Sequence, residues 1–306
     1  MKPIYVSLVL LTAIHTNVVA QKHRYDPPWN APPEKEAVQF TVKGIDNAPD
    51  IYGDINNPDL VVFLGGNQFM VLDELLPAFR KKHPQYKRIL VETLPPGILL
   101  QQIKNGALLM GNMHITVKPD VYTSGKKTME ENASLFSLTR PYSATRLMLM
   151  VQKGNPKNIR TLTDLAGDSI RVSLPDKKIE GIGETIEKVY TKAGHTKAYE
   201  RIAKQKVTDG STFVTQIHHR QSPLRILNNH SDVAPVWETE VFYQQQLGYP
   251  VEGVPIPEEG NKPSVSVAGV LKNAPHKKAA QDFVNFLTGP EAAAIFKKYG
   301  FSLPAQ

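Results

Sequence analysis

Cysteine is absent from the 306-residue chain. Its absence excludes disulfides, a thiol nucleophile, a thiolate metal centre and a lipid anchor linked through cysteine. The fold must therefore rest on its own apolar core, which a chain of this length can build. Apolar runs of membrane length are also missing. The longest, residues 4–14, spans about eleven residues against the roughly 20 a helix needs to cross the hydrocarbon core. No strong field of one sign exists either: the formal charge of +7 is the difference between 36 basic and 29 acidic residues spread along the chain. The densest basic clusters, Arg80-Lys81-Lys82 and Lys277-Lys278, read as solvated helix ends, so no nucleic-acid partner is expected. Catalytic signatures are wanting as well: there is no G-x-S-x-G, no H-E-x-x-H, no P-loop and no isolated carboxylate pair of the glycosidase kind. A non-enzyme without a cofactor is expected.

What is present is a globular composition, 41% hydrophobic and 21% charged. Residues 1–20 read as a secretory leader. Lys2 gives a positive start, the run at 4–14 the apolar stretch, and Val18 and Ala20 the cleavage positions. Cleavage after Ala20 would start the mature chain at Gln21 and place it in the periplasm. Residues 21–58 are rich in Pro, Asn and Asp (YDPPWNAPPEKE, IDNAPDIYGDINNPD) and read as an extended arm with one short strand at 37–42.

From Leu60 the pattern changes. LVVFL is a continuous apolar run ending in Gly65-Gly66, which suits a buried strand running into a loop. A helix is expected at 71–83, a strand at 88–92, a helix at 98–105 and a strand at 120–123. Strands at 146–152, 169–174, 232–237 and 265–271 and helices at 183–193, 223–229, 275–287 and 290–299 follow. Strand–helix alternation implies an α/β fold. The expected organisation is a first lobe at 59–145 plus 241–306 and a second at 146–240. Each lobe would be a mostly parallel sheet flanked by helices, with a hinge and a cleft between them. A monomer is expected.

Several segments in this order resemble the periplasmic solute-binding proteins of ABC transporters, the molybdate-binding type in particular. VVFLGGNQFMVLDELLPAFRKKHPQYKRILVET looks like that family's first strand, ligand loop, helix and second strand. PPGILLQQIKNGA looks like its second loop and helix, and KPDVYTSGKKTMEE like its third-strand segment. SDVAPVWETE resembles its second-lobe strand, and FVNFLTGPEAAAIFKKYGF matches its C-terminal helices. The resemblance covers roughly residues 60–302. It implies a two-lobed (type II) fold that closes on a small solute and presents it to a membrane permease. Proteins of that type grip a tetrahedral oxyanion with serine hydroxyls and backbone N–H groups of the first two loops. Here those loops read GGNQ and LPPG, without serine, and Trp237 stands where such proteins often place a tyrosine on the ligand. A pocket rebuilt for another solute is implied.

Loops at the carboxyl ends of strands are where α/β folds bind ligands. The candidate ligand residues are therefore Gly66, Asn67, Gln68, Pro96, Gly97, Thr123 and Ser124 on the first lobe. On the second they are Glu180, Gly181, His218, His219, Arg220, Trp237 and Glu238. The segment TFVTQIHHRQSPLRILNNHSDVAPVWETE carries the densest chemistry. Arg220 or Arg225 could pair with a carboxylate, phosphate or other oxyanion, and Ser222 could cap the helix beginning at Pro223. Three readings stay open for HHR: an anion site, a transition-metal site on His218 and His219, or a structural turn. Adjacent histidines lack the i, i+4 spacing of helical metal sites. Arg140, Tyr122 and Tyr142 are further cleft candidates. The rival functions are a sensory or accessory binding protein, using the arm to reach a receptor or maturation partner, and an enzyme using a histidine.

Overall fold

The computed structural model describes residues 50–110, 113–215, 220–257 and 260–304. The expected leader, its cleavage point, the strand at 37–42 and most of the proline-rich arm lie outside the described residues.

The strands among the described residues are β1 (Ile51–Gly53), β2 (Leu60–Phe63), β3 (Ile89–Glu92), β4 (Leu108–Met110), β5 (Met113–Ile115), β6 (Val121–Gly125) and β7 (Phe136–Thr145). Next come β8 (Leu147–Gln152), β9 (Val172–Leu174), β10 (Thr212–Val214), β11 (Val233–Trp237), β12 (Val251–Pro255) and β13 (Ser264–Leu271). One sheet has the order β1-β3-β2-β6-β13-β7, a second the order β10-β9-β11-β8-β12, and β4 and β5 form a small hairpin.

Both large sheets are mixed rather than mostly parallel. In the first, β2 pairs parallel with β3 and β6, while β1, β13 and β7 join antiparallel. In the second, β9 pairs parallel with β10 and β11, while β8 is antiparallel to β11 and β12. The cause is the connection between the lobes. β7 runs into β8 through Arg146 alone, and β12 leads back to β13, so these strands enter their sheets from the hinge side with no crossover helix to reverse them.

Two boundaries shift from the sequence reading. The helix Glu238–Gln246 packs against β12, and β12 pairs with β8, so the chain returns to the first sheet after Pro255 rather than at 241. Ile51–Gly53, read as part of the arm, is an edge strand of the first sheet. The expected helices at 71–83, 98–105, 183–193, 275–287 and 290–299 are found as Leu72–Lys82, Pro96–Asn105, Gly181–Lys192, Lys277–Leu287 and Pro290–Lys298.

Strand alternation divides the core. Leu60, Val62 and Leu64 face the helices Leu72–Lys82 and Lys277–Leu287, where they meet Leu75, Phe79, Phe283 and Phe286. Val61 and Phe63 face the opposite way, toward Leu99 on the helix Pro96–Asn105. In the second lobe Leu147, Leu149 and Val151 pack with Ile182, Ile186 and Tyr190, and Met150 lies on the other face with Ile226 and Val236.

The two interlobe connections are tied together. The buried Asn261 accepts the Leu147 N–H at 2.9 Å and donates to the Leu147 carbonyl at 2.6 Å, so one side chain braces both crossings. Among the described residues no helix is long and apolar enough to cross a membrane.

Candidate functional site: the interlobe cleft

A cleft of about 430 Å³ opens between the lobes, lined by the strand-end loops of both sheets. On the first lobe, Leu64 donates to the Glu92 carbonyl at 2.8 Å and extends the ladder one residue beyond β2. The Gly65 N–H then turns to Thr123 Oγ1 at 2.8 Å, and the chain enters a 3₁₀ turn at Gly66–Val71. Gln68 is buried and fixed from both ends. Its Oε1 accepts the Tyr142 hydroxyl, and its Nε2 donates to Ser266 Oγ at 3.2 Å and Ser143 Oγ at 3.4 Å. The Tyr122 hydroxyl donates to the Pro96 carbonyl at 2.8 Å and draws the second loop toward β6. Burial pushes both tyrosine hydroxyls well above their ordinary pKa, so each stays a proton donor. Tyr122 and Tyr142 thus stand behind the wall and position it rather than line it.

Hydroxyls crowd this wall. Thr123, Ser124, Thr145, Ser264 and Ser266 all border the cleft. Thr145 ends β7 with 3% of its surface exposed, and its Oγ1 has no hydrogen-bond partner among the described residues. A buried hydroxyl left unpaired costs about 1–3 kcal/mol. The first two loops lack serine, and these hydroxyls come instead from β6, β7 and β13.

The second lobe contributes residues 177–182, Glu184, Thr185, Lys188 and Trp237. Gly183 lets this loop fold tightly: a Cβ there would lie 2.6 Å from Lys177 N and 2.9 Å from the Pro175 carbonyl. Glu180 is 3% exposed and accepts the Thr215 hydroxyl at 2.7 Å. Trp237 closes the wall at the end of β11. Five lysines (126, 127, 177, 178 and 188) border the cleft against the glutamates Glu180 and Glu184. Lys178 is the one of the five with no carboxylate within salt-bridge distance among the described residues.

The structure brings Gly66, Asn67, Gln68, Pro96, Gly97, Thr123, Ser124, Glu180, Gly181 and Trp237 together on one cleft. Other candidates do not reach it. The guanidinium of Arg220 is buried against the Asp50 carboxylate and 4.7 Å from the Phe69 ring centroid. Glu238 turns toward Arg146 at 3.8 Å, because the residue after Trp237 projects from the first turn of a helix. Arg225 stacks on Phe213 at 3.8 Å inside the second lobe. Arg140 is exposed in the middle of β7. The helix expected from Pro223 begins at Gln221, and Ser222 bonds Ser173 Oγ at 2.9 Å instead of capping it. His218 and His219 lie outside the described residues, and no group of three or more potential metal ligands occurs among the described ones.

Thr145, Ser264, Ser266 and the lysines were not anticipated. The available signal was a hydroxyl at the end of each strand entering the hinge, and lysine pairs flanking two of the loops.

Comparison with known proteins agrees with this arrangement. The Bacillus subtilis protein YvgL, named as an ABC transporter substrate-binding lipoprotein, is 22% identical over 234 residues, 76% of this chain and 81% of its own. The Azotobacter vinelandii periplasmic molybdate-binding protein superposes with a TM-score of 0.64 at 20% identity, over 80% of this chain and all of that one. AfuA of Actinobacillus pleuropneumoniae, a periplasmic binding protein solved with fructose 6-phosphate, gives 0.63 at 16% identity, over 80% and 84% of the two chains. These likenesses establish the two-lobed periplasmic-binding-protein fold. The family model for bacterial extracellular solute-binding proteins matches residues 60–302, and the chain belongs to that family of binding proteins rather than to an enzyme family.

Proposed function

We propose that the chain captures an oxyanion-bearing solute in the interlobe cleft outside the cytoplasm and delivers it to the membrane permease of an ABC transporter. The observation that carries this reading is the unpartnered Thr145 Oγ1 in a wall of hydroxyls. An acceptor oxygen of a bound anion would satisfy it, and no apolar solute could. Lys178, the cleft lysine with no carboxylate within salt-bridge distance among the described residues, adds a positive charge beside the opening. The first turns of the helices Pro96–Asn105 and Gly181–Lys192 border the cleft and contribute partial positive charge.

The lobes touch across the cleft. Lys127 on the first pairs with Glu184 on the second at 3.1 Å, and Gly97 lies against the Ile179 backbone. Contacts of this kind exist only when the lobes are together, so they favour the closed form and a solute that bridges the lobes adds to them. The hinge is the pair of connections braced by Asn261.

A thermal-shift series with phosphate, sulfate, molybdate and glycerol 3-phosphate tests the reading. A ligand that binds only the folded chain raises the melting temperature by mass action, about 2.7 kcal/mol of stabilisation at a hundredfold excess over Kd. A saturable rise with at least one of them is expected. A flat response to all four would remove the anion from the proposal.

A further inference from the structure

We infer that the solute is a phosphate monoester of a small hydroxylated carbon skeleton rather than a bare inorganic oxyanion. The inference rests on the anion reading above and narrows it. Three features of the cleft carry it.

The first is room. The lobes are already in contact at Gly97–Ile179 and Lys127–Glu184, yet about 430 Å³ remains between them. That is room for about fourteen waters at roughly 30 Å³ each. A tetrahedral oxyanion has five non-hydrogen atoms and would leave most of this space as solvent. The volume falls in the range of pockets for organic ligands, about 300–1,000 Å³.

The second is the mixed chemistry of the wall. Hydroxyls gather where β6, β7 and β13 end, around Thr145. The same lining includes apolar groups: Pro95, Pro96, Ile179 and Trp237. A bare anion has no surface for such a wall to cover. A carbon skeleton does, and the flat indole suits the C–H face of a polyol or sugar.

The third is Glu180. Glu180 is a nearly buried residue of the second-lobe wall, and its Oε1 accepts the Thr215 hydroxyl. A fully ionised sulfate or molybdate carries no proton to offer a carboxylate and would be repelled by it. A skeleton with hydroxyls can donate to it while its phosphate takes the hydroxyl wall. The cleft thus combines hydroxyl donors with a carboxylate residue, a pairing that a ligand with both a phosphate and hydroxyl groups satisfies and sulfate or molybdate does not; hydrogen phosphate can also donate to a carboxylate, and the room in the cleft is what sets an ester apart from it.

Isothermal titration of the wild-type chain decides the matter, with three sets of probes. These are the esters glycerol 3-phosphate and fructose 6-phosphate, the inorganic anions phosphate, sulfate and molybdate, and the parent polyols glycerol and fructose. At least one ester is expected to bind more than tenfold tighter than every inorganic anion, and the polyols not measurably. An inorganic anion binding within tenfold of the better ester, or tighter, would overturn this inference and leave the anion reading intact. A polyol binding as tightly as its ester, or the absence of binding by every anion, would overturn the anion reading itself.

Discussion

The Arg220 guanidinium and the Asp50 carboxylate form a buried ion pair between the two lobes, with Asp50 fully buried and Arg220 2% exposed. Asp50 precedes β1 at the edge of the first sheet, and its carbonyl accepts the Thr93 N–H at 2.8 Å. Arg220 heads the helix Gln221–Leu227 of the second lobe. The carboxylate that Arg220 holds is therefore supplied by the chain, which is why this arginine is absent from the cleft lining. Removing one member of a buried pair costs about 3–5 kcal/mol, because the other charge stays buried. Asp50→Ala is expected to lower stability in urea by an amount of that order and to enlarge the ligand-free particle in X-ray scattering. A variant with unchanged stability and unchanged radius would show that the pair does not join the lobes.

Gly97 decides how closely the lobes approach. A Cβ at this position would lie 2.8 Å from the Ile179 carbonyl oxygen, a distance real Cβ atoms essentially never show. Gly97→Val should hold the lobes apart while leaving each sheet intact. A roughly tenfold loss of affinity for whichever anion binds, with far-UV circular dichroism unchanged, is the expected outcome. Wild-type affinity in this variant would mean that closure at this point contributes nothing to binding.

Glu92 gives the chain a pH signature. Burial pushes its carboxyl from the ordinary 4.5 up to about 7, partly opposed by the hydrogen bond from Gln102 Nε2 to its Oε1 at 3.2 Å. Between those two values the folded chain holds a proton that the unfolded chain has already released. This residue's contribution to stability therefore falls as pH rises from 4.5 to 7 and is level above it. Glu92→Gln mimics the protonated form. Its melting temperature should approach or match wild type near pH 4.5 and exceed it increasingly up to pH 7.5. A gap between the two proteins that does not change with pH would contradict the assignment.

Much of the scaffold was readable from residue order, and the reasons are local. LVVFL followed by Gly-Gly announces a buried strand and its loop. Leu72, Leu75, Leu76 and Phe79 announce the helix behind it, and the C-terminal phrase carries the family resemblance. The first-lobe loops were found because they follow such strands directly. Arg220 and Glu238 show the limit. Both sit in segments that flank the cleft, but the direction of a side chain depends on neighbours far away in sequence: Asp50 lies 170 positions from Arg220. The same distance hid the hydroxyl wall, since Thr145, Ser264 and Thr123 meet only after β13 inserts between β6 and β7. β7 itself was missed because Arg140-Pro141 interrupts its pattern. Its pairing with β13 absorbs the proline at a register shift between Ser266 and Val267.

Thr145→Val is the sharpest test of an anion held on the hydroxyl wall. The substitution removes one hydroxyl, replaces it with a methyl of similar size, and breaks no hydrogen bond among the described residues. Titration calorimetry on wild type and variant, with the tightest-binding anion, should give at least a tenfold weaker Kd for the variant. The melting temperature of the ligand-free variant should be equal to wild type or higher. Equal affinity in the two proteins would place the anion somewhere other than on this wall.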